Sequence, residues 1–106
     1  MDTEKIIMGL ILNSGDTKNH MYKALSYVKE KDYKKADEEI ELAEEALNKA
    51  HTVQTEFLQS EAGGESTDIS ALFVHAQDHL MTSMTEVTLI KEIIDLQKEI
   101  HQIQNK

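Results

Sequence analysis

Apolar residues recur every three to four positions along most of this chain, the spacing that places side chains on one face of an α-helix. Proline is absent, and the four glycines occupy positions 9, 15, 63 and 64. Three helices are predicted, from about Asp2 to Lys29, from about Tyr33 to Gln59, and from about Asp68 nearly to the end. The pattern therefore predicts an all-α fold, an antiparallel three-helix bundle, formed by one domain over residues 1–106.

Polar segments mark the predicted breaks between these helices. Asp32 follows a run of charged residues and is predicted to cap the second helix, because its carboxylate can accept hydrogen bonds from free backbone N–H groups. The segment EAGGEST at residues 61–67 combines two glycines with Ser66 and Thr67. Either of these hydroxyl residues is a suitable cap for the third helix.

Each predicted helix has an apolar face suited to packing in the core of the bundle. The first helix presents Ile7, Leu10, Ile11, Ser14, Ala24, Leu25 and Val28; the second presents Ala36, Ile40, Ala43, Leu47, Ala50, Gln54 and Leu58; the third presents Leu72, Ala76, Leu80, Val87, Ile90 and Ile94.

The third helix carries a second apolar stripe, whose members step alternately by four and three residues as in a coiled-coil seam. These residues are Leu89, Ile93, Leu96, Ile100 and Ile103. A monomeric bundle needs only one such face, so the second stripe predicts an oligomer. Followed toward the amino terminus, the stripe passes through Glu86, Thr82, His79, Asp78 and His75. The polar cluster is thereby expected at the contact between subunits.

The segment HAQDH at residues 75–79 holds the candidate chemistry of the chain. His75, Asp78 and His79 have spacings i, i+3 and i+4, which place all three on one helix face. A neutral imidazole is a nucleophile near pH 7 and can carry a phosphoryl group, and a second histidine or the amide of Gln77 can donate hydrogen bonds to it. A plain polar patch, or a structural ion site across an oligomer axis, fits the same spacing.

Two metal motifs are excluded by the residues around this cluster. Ala76 stands where the HExxH motif of zinc proteases requires its general-base glutamate. No histidine has glutamate three positions before it, so the Glu-x-x-His pairs of di-iron bundles are missing. Among the other histidines, His51 is predicted to be a hydrogen-bonded core residue, whereas His20 and His101 are predicted to lie on the surface.

Charge and composition narrow the classes of partner. The net charge of −9 argues against nucleic-acid binding, which depends on clustered cations. All eleven cationic residues are lysines, so no arginine can clamp a phosphate with two hydrogen bonds. Cysteine is absent, and the apolar run from Ile6 to Leu12 is too short to span a bilayer and lacks the features of an export signal. A cytoplasmic protein without membrane insertion is expected.

Three blocks give the chain a resemblance to a known family. They are GLILNSGD at residues 9–16, AHTVQTEFLQSEAGGE at residues 50–65, and VHAQDHLMTSM at residues 74–84. The chain resembles the lactose/cellobiose family of enzyme IIA components of the bacterial phosphoenolpyruvate-dependent sugar phosphotransferase system. The resemblance covers essentially the whole chain and shows no departure at the motif positions.

The resemblance implies a homotrimeric phosphocarrier that takes a phosphoryl group from the histidine-containing phosphocarrier protein and passes it to a cysteine of enzyme IIB. The phosphorylated histidine of the family falls on His75, and its partner histidine falls on His79. The carboxylate that holds a divalent cation at the trimer axis falls on Asp78; Mg²⁺, a hard ion, suits such oxygen ligands.

The implied sugars are β-linked disaccharides such as lactose, cellobiose or diacetylchitobiose, taken up through the membrane enzyme IIC. Two other functions stay open at this stage. One is a non-catalytic acidic helical oligomer with a structural metal site. The other is a regulatory adaptor whose phosphorylation state controls its binding to other proteins.

Overall fold

The computed structural model describes residues 2–64 and 70–105 and consists of three long helices. They are α1 (Thr3–Lys29), α2 (Tyr33–Ala62) and α3 (Ala71–Gln104), and the described part of the chain contains no strand. The molecule is elongated, with extents of 61 × 21 × 17 Å. The all-α prediction is confirmed.

A polar side chain caps the amino terminus of each helix. The Asp2 carboxylate accepts from two backbone N–H groups of α1, and the Asp32 carboxylate accepts from the N–H of Lys35 at 3.2 Å, as predicted. At α3, the Ser70 hydroxyl accepts from the N–H of Phe73 at 3.1 Å. The third helix therefore begins three residues later than the predicted Asp68, because the extended backbone of Ser70 forms the cap. The predicted caps Ser66 and Thr67 lie outside the described residues.

The core consists of two apolar clusters, and α1 contributes to both. The first joins the amino-terminal part of α1 to the carboxyl-terminal part of α2 and the start of α3; it contains Ile6, Ile7, Leu10, Ala50, Phe57, Phe73, Ala76 and Leu80. The second joins the other end of α1 to the start of α2 and the later part of α3; it contains Met21, Ala24, Val28, Ala36, Ala43, Val87, Ile90 and Ile94. Helix α1 packs extensively against both other helices, whereas α2 and α3 contact each other little.

Two predicted core positions are wrong by one residue. Leu58 and Leu72 are about half exposed, and their neighbours Phe57 and Phe73 are buried instead. Adjacent residues on a helix point about 100° apart, so only one member of each apolar pair can face the core. The aromatic members occupy it, with their ring centroids 4.5 Å apart. An aromatic pair contributes about 0.5–1.5 kcal/mol beyond its buried area, which favours the two rings over the two leucines.

The predictions for two histidines are also wrong. His51 is exposed rather than part of the core. His101 is only 4% exposed and hydrogen-bonds through its ring to the hydroxyl of Tyr33 and the side chain of Gln97. Tyr33 begins α2 and His101 lies near the end of α3, so their hydrogen bond joins these two helices. His20 is partly exposed and pairs with Glu39.

The second apolar stripe of α3 lies outside the core. Its five residues, Leu89, Ile93, Leu96, Ile100 and Ile103, are between 46% and 71% exposed. The buried apolar residues of α3 lie on a different face of the same helix, as the two-stripe pattern predicts. Within residues 2–64 and 70–105, none of the helices has an apolar stretch of the length that spanning a bilayer requires.

Candidate active site

The cluster at residues 75–79 lies in the second and third turns of α3, shortly after the Ser70 cap. The imidazole rings of His75 and His79 lie on one side of the helix, with centroids 5.9 Å apart and planes inclined by 79°. His75 and Asp78 are exposed, whereas His79 is partly buried. The two rings can therefore reach one small group together, and His75 is the more accessible of them.

His79 is anchored through its backbone. Its main-chain oxygen accepts hydrogen bonds from the hydroxyls of Ser83, at 2.7 Å, and Thr82, at 3.2 Å. The Ser83 hydroxyl also lies 3.2 Å from the main-chain oxygen of Ser14 and is fully buried. The hydroxyl of Ser83 thus links α3 to α1 at the level of His79.

Sequence reasoning did not single out Ser83. The available signal was its position four residues after His79, where a helical serine can reach the carbonyl of the preceding turn. The contact of Ser83 with Ser14 has no signal in the local sequence, because Ser14 lies on another helix.

Gln77 does not share the face of the two histidines, because residues two apart on a helix point to different sides. Its side-chain oxygen accepts a hydrogen bond from the Gln54 amide at 2.9 Å. The contact links α2 to α3 next to the cluster. The amide of Gln77 is thereby oriented by Gln54, and among the described residues no hydrogen bond joins it to His75.

Asp78 is the predicted metal ligand. A carboxylate oxygen is the correct donor type for Mg²⁺, but such an ion needs several ligands. Among the described residues, no group of three or more histidine, aspartate or glutamate side chains could hold a metal ion. The described part of one chain therefore provides no complete metal site, and the role of Asp78 as a ligand stays a prediction.

A cation approaches the same face of α3. The amine of Lys18 lies 3.4 Å from the hydroxyl of Thr82, which follows His79 by three residues. Because the chain has no arginine, lysine is the cationic side chain available for an anionic group near this face. It provides a point charge rather than a two-pronged clamp.

The three sequence blocks that carry the family resemblance meet around this site. A Cβ atom placed on Gly9, in the first block, would lie 3.4 Å from Val53 in the second. Ser14 of the first block contacts Ser83 of the third, and Gln54 of the second contacts Gln77 of the third. Residues far apart in the chain are thus brought together beside His75 and His79.

Comparison with known proteins supports the family resemblance. The family model described as the lactose/cellobiose-specific IIA subunit of the phosphotransferase system matches residues 5–98. The lichenan-specific phosphotransferase enzyme IIA component of Bacillus subtilis (strain 168) is 42% identical over 99 residues, which cover 93% of this chain and 90% of that protein.

Solved structures agree with this match. The cellobiose-specific enzyme IIA from Bacillus anthracis superposes with a TM-score of 0.91 at 46% identity, covering 96% of this chain and 94% of that one. The chitobiose IIA protein of Escherichia coli, solved in complex with HPr, gives a TM-score of 0.81 at 40% identity, covering 95% and 98% of the two chains. The chain belongs to the lactose/cellobiose-specific IIA family and is a phosphocarrier component of a sugar phosphotransferase system.

Proposed function

We propose that His75 accepts a phosphoryl group from the histidine-containing phosphocarrier protein and passes it to a cysteine of enzyme IIB. The observation that carries this proposal is the exposed imidazole of His75 facing the partly buried ring of His79. A relative with the same fold, the chitobiose IIA protein, has been solved with HPr, which supports the choice of donor.

The chemistry consists of two substitutions at phosphorus. A ring nitrogen of neutral His75 attacks the phosphoryl group of the donor phosphohistidine; a new N–P bond forms as the donor's N–P bond breaks. In the second step a cysteine thiolate of enzyme IIB attacks, and the electrons of the N–P bond return to the His75 imidazole. The protein's task is mainly positioning and charge stabilisation. An accessible His75 suits two successive partners, and His79 suits the role of a hydrogen-bond donor beside it.

We further propose that three chains assemble around the exposed stripe of α3. Leu89, Ile93 and Leu96 belong to an uninterrupted apolar row that water would otherwise cover. Within each chain, the two core clusters support the alternating, antiparallel order of neighbouring helices. Three Asp78 carboxylates would converge at the axis, where a divalent cation such as Mg²⁺ offsets their repulsion.

The proposed sugar is a β-linked disaccharide of the lactose, cellobiose or chitobiose type, imported through the membrane enzyme IIC by a cytoplasmic phosphate relay. The names of the relatives support this class. They do not separate its members, because proteins named for lichenan, cellobiose and chitobiose are similarly related to this chain. A carrier that handles only phosphate also has no need of a sugar pocket.

The deciding experiment is phosphorylation with phosphoenolpyruvate, enzyme I and the phosphocarrier protein. An acid-labile phosphate on this chain, which then appears on added enzyme IIB, is the expected result. A chain that takes up phosphate without passing it to enzyme IIB would favour the regulatory adaptor. A chain that takes up none would favour the non-catalytic oligomer with a structural ion.

A further inference from the structure

Three side-chain atoms in the described part of the chain are buried without a hydrogen-bond partner: Ser14 Oγ, His79 Nδ1 and Glu86 Oε2. Ser14 Oγ and His79 Nδ1 lie at the same level of the contact between α1 and α3. The Ser83 hydroxyl is within 3.2 Å of the main-chain oxygen of Ser14 and 2.7 Å of that of His79. The backbones of Ser14 and His79 are therefore separated by one hydroxyl group.

The two atoms are chemically complementary. A serine hydroxyl can donate one hydrogen bond, and an imidazole nitrogen without a proton accepts one. Most buried polar side-chain atoms have a partner in a folded protein. We propose that Ser14 is a positioning residue for His79, whose Nδ1 accepts a hydrogen bond from the Ser14 hydroxyl, directly after rotation of the hydroxyl or through one water molecule.

The other polar groups nearby fit this role less well. The hydroxyls of Ser83 and Thr82 already point to the main-chain oxygen of His79. Glu86 follows His79 by seven residues, a rise of about 10 Å along the helix. Ser14 also carries a hydroxyl at this level, and it is fully buried near the middle of α1, on the surface that packs against α3.

The bond would decide which ring nitrogen of His79 carries the proton. If Nδ1 accepts from Ser14, the neutral ring must hold its proton on Nε2, because each neutral imidazole has one donor and one acceptor. Since Nδ1 is the buried nitrogen, Nε2 is left for the accessible side of the ring. An Nε2–H group can then donate to a phosphoryl group on His75. That last step rests on the proposed function, whereas the Ser14–His79 bond does not.

The first test is the tautomer of His79 in the unphosphorylated protein, measured from the two-bond ¹⁵N–¹H couplings of its ring. Wild type is expected to hold mainly the Nε2–H form. Ser14→Ala should give a mixture of both forms, while Ser14→Thr, which keeps the hydroxyl, should retain the Nε2–H form. Wild-type protein with its proton mainly on Nδ1 would overturn the inference, whether or not any variant folds.

The second test is the rate of phosphoryl transfer to the chain. Ser14→Ala should lower it by about two- to tenfold, the range that one hydrogen bond supplies. The matched control is Thr17→Val, which removes another fully buried hydroxyl of α1, one bonded to the main-chain oxygen of Asn13. If Ser14→Ala and Thr17→Val have the same tautomer and the same rate, Ser14 has only a structural role. If wild type accepts no phosphate, the proposed function fails, and the tautomer still decides the inference.

Discussion

At the scale of single residues, the site depends on a difference between two histidines one helical turn apart. His75 is exposed, whereas His79 is partly buried, with its Nδ1 enclosed and its carbonyl held by two hydroxyls. The accessible ring is suited to meet a donor and an acceptor protein in turn. The anchored ring is suited to hold a fixed position beside it.

The first residue-scale prediction concerns His75, the proposed nucleophile. His75→Ala should abolish phosphorylation, because no covalent intermediate can form without the attacking nitrogen. The matched control is His51→Ala, which removes another exposed histidine from α2 and should leave phosphorylation unchanged. Phosphate uptake is measured by a method that preserves N–P bonds, and circular dichroism checks that both variants stay helical. Phosphate still present on His75→Ala would reverse the assignment.

The second concerns His79, the proposed supporting donor. His79→Ala should slow transfer without eliminating it, because it removes one hydrogen bond to the developing phosphoryl charge. By analogy with oxyanion donors, the barrier should rise by about 2.7–4 kcal/mol, toward the upper part of that range since no arginine can substitute. Rapid-quench kinetics with the phosphorylated donor protein measures the rate. Unchanged kinetics would remove His79 from the reaction.

At the scale of elements, the placement of the site depends on where α3 begins. The Ser70 hydroxyl satisfies the N–H of Phe73, and His75 follows only five residues after the cap. Phe73 in turn packs on Phe57 of α2. The start of α3 is thus held by one polar and one apolar contact immediately before the proposed reactive residues.

Loss of this cap should therefore affect both stability and transfer. Ser70→Ala is expected to lower the free energy of unfolding by about 1 kcal/mol and to slow phosphorylation, because the first turns of α3 fray. Asp32→Ala removes the cap of α2, whose side chain accepts from Lys35, and provides the control. It should cost similar stability while leaving the phosphorylation rate unchanged. Equal rates for both variants would show that fraying at Ser70 does not reach His75.

At the scale of the whole molecule, the exposed apolar row of α3 is a feature that the bundle itself does not use. Helix α1 packs against both other helices, and the buried face of α3 packs against α1. The opposite stripe, from Leu89 to Ile103, is left to solvent in a single chain. An assembly through this row would also bring the three copies of the cluster at residues 75–79 together.

Assembly is tested by placing a charge in the row. Ile93→Lys should convert the proposed trimer to monomer, because a buried ammonium at each of three seams would lack a partner. Leu42→Lys, at an apolar residue of α2 that is similarly exposed, should leave the trimer intact. Sedimentation equilibrium at micromolar concentration measures the mass. A wild-type chain that sediments as a monomer would rule out the trimer directly.

The proposed cation is tested by chelation. Removal of divalent ions should weaken the wild-type trimer, because three Asp78 carboxylates at one axis repel each other without the ion. Asp78→Asn should remain trimeric and become insensitive to the chelator, since neutral amides do not repel. Dissociation is followed by sedimentation with and without chelator. If chelation changes nothing in wild type, Asp78 is not a ligand in this assembly.

Local chemistry was sufficient to predict much of this structure from the sequence. Apolar spacing determined the three helices, and the side chain of Asp32 determined the start of the second. The spacing of His75 and His79 placed both rings on one face, because helix geometry relates positions four residues apart wherever the helix lies in the fold. The exposure of the second stripe on α3 followed from the same periodicity.

Contacts between distant residues were decided by the tertiary structure alone. Phe57 and Phe73 are buried in place of Leu58 and Leu72 because of how the packed helices are rotated about their own axes. The apolar pattern of one helix determines this rotation only to within about one residue. The burial of His101 against Tyr33, and the contact of Ser83 with Ser14, join residues 68 and 69 positions apart. Their side chains meet only after three helices have packed, so no local spacing could have predicted them.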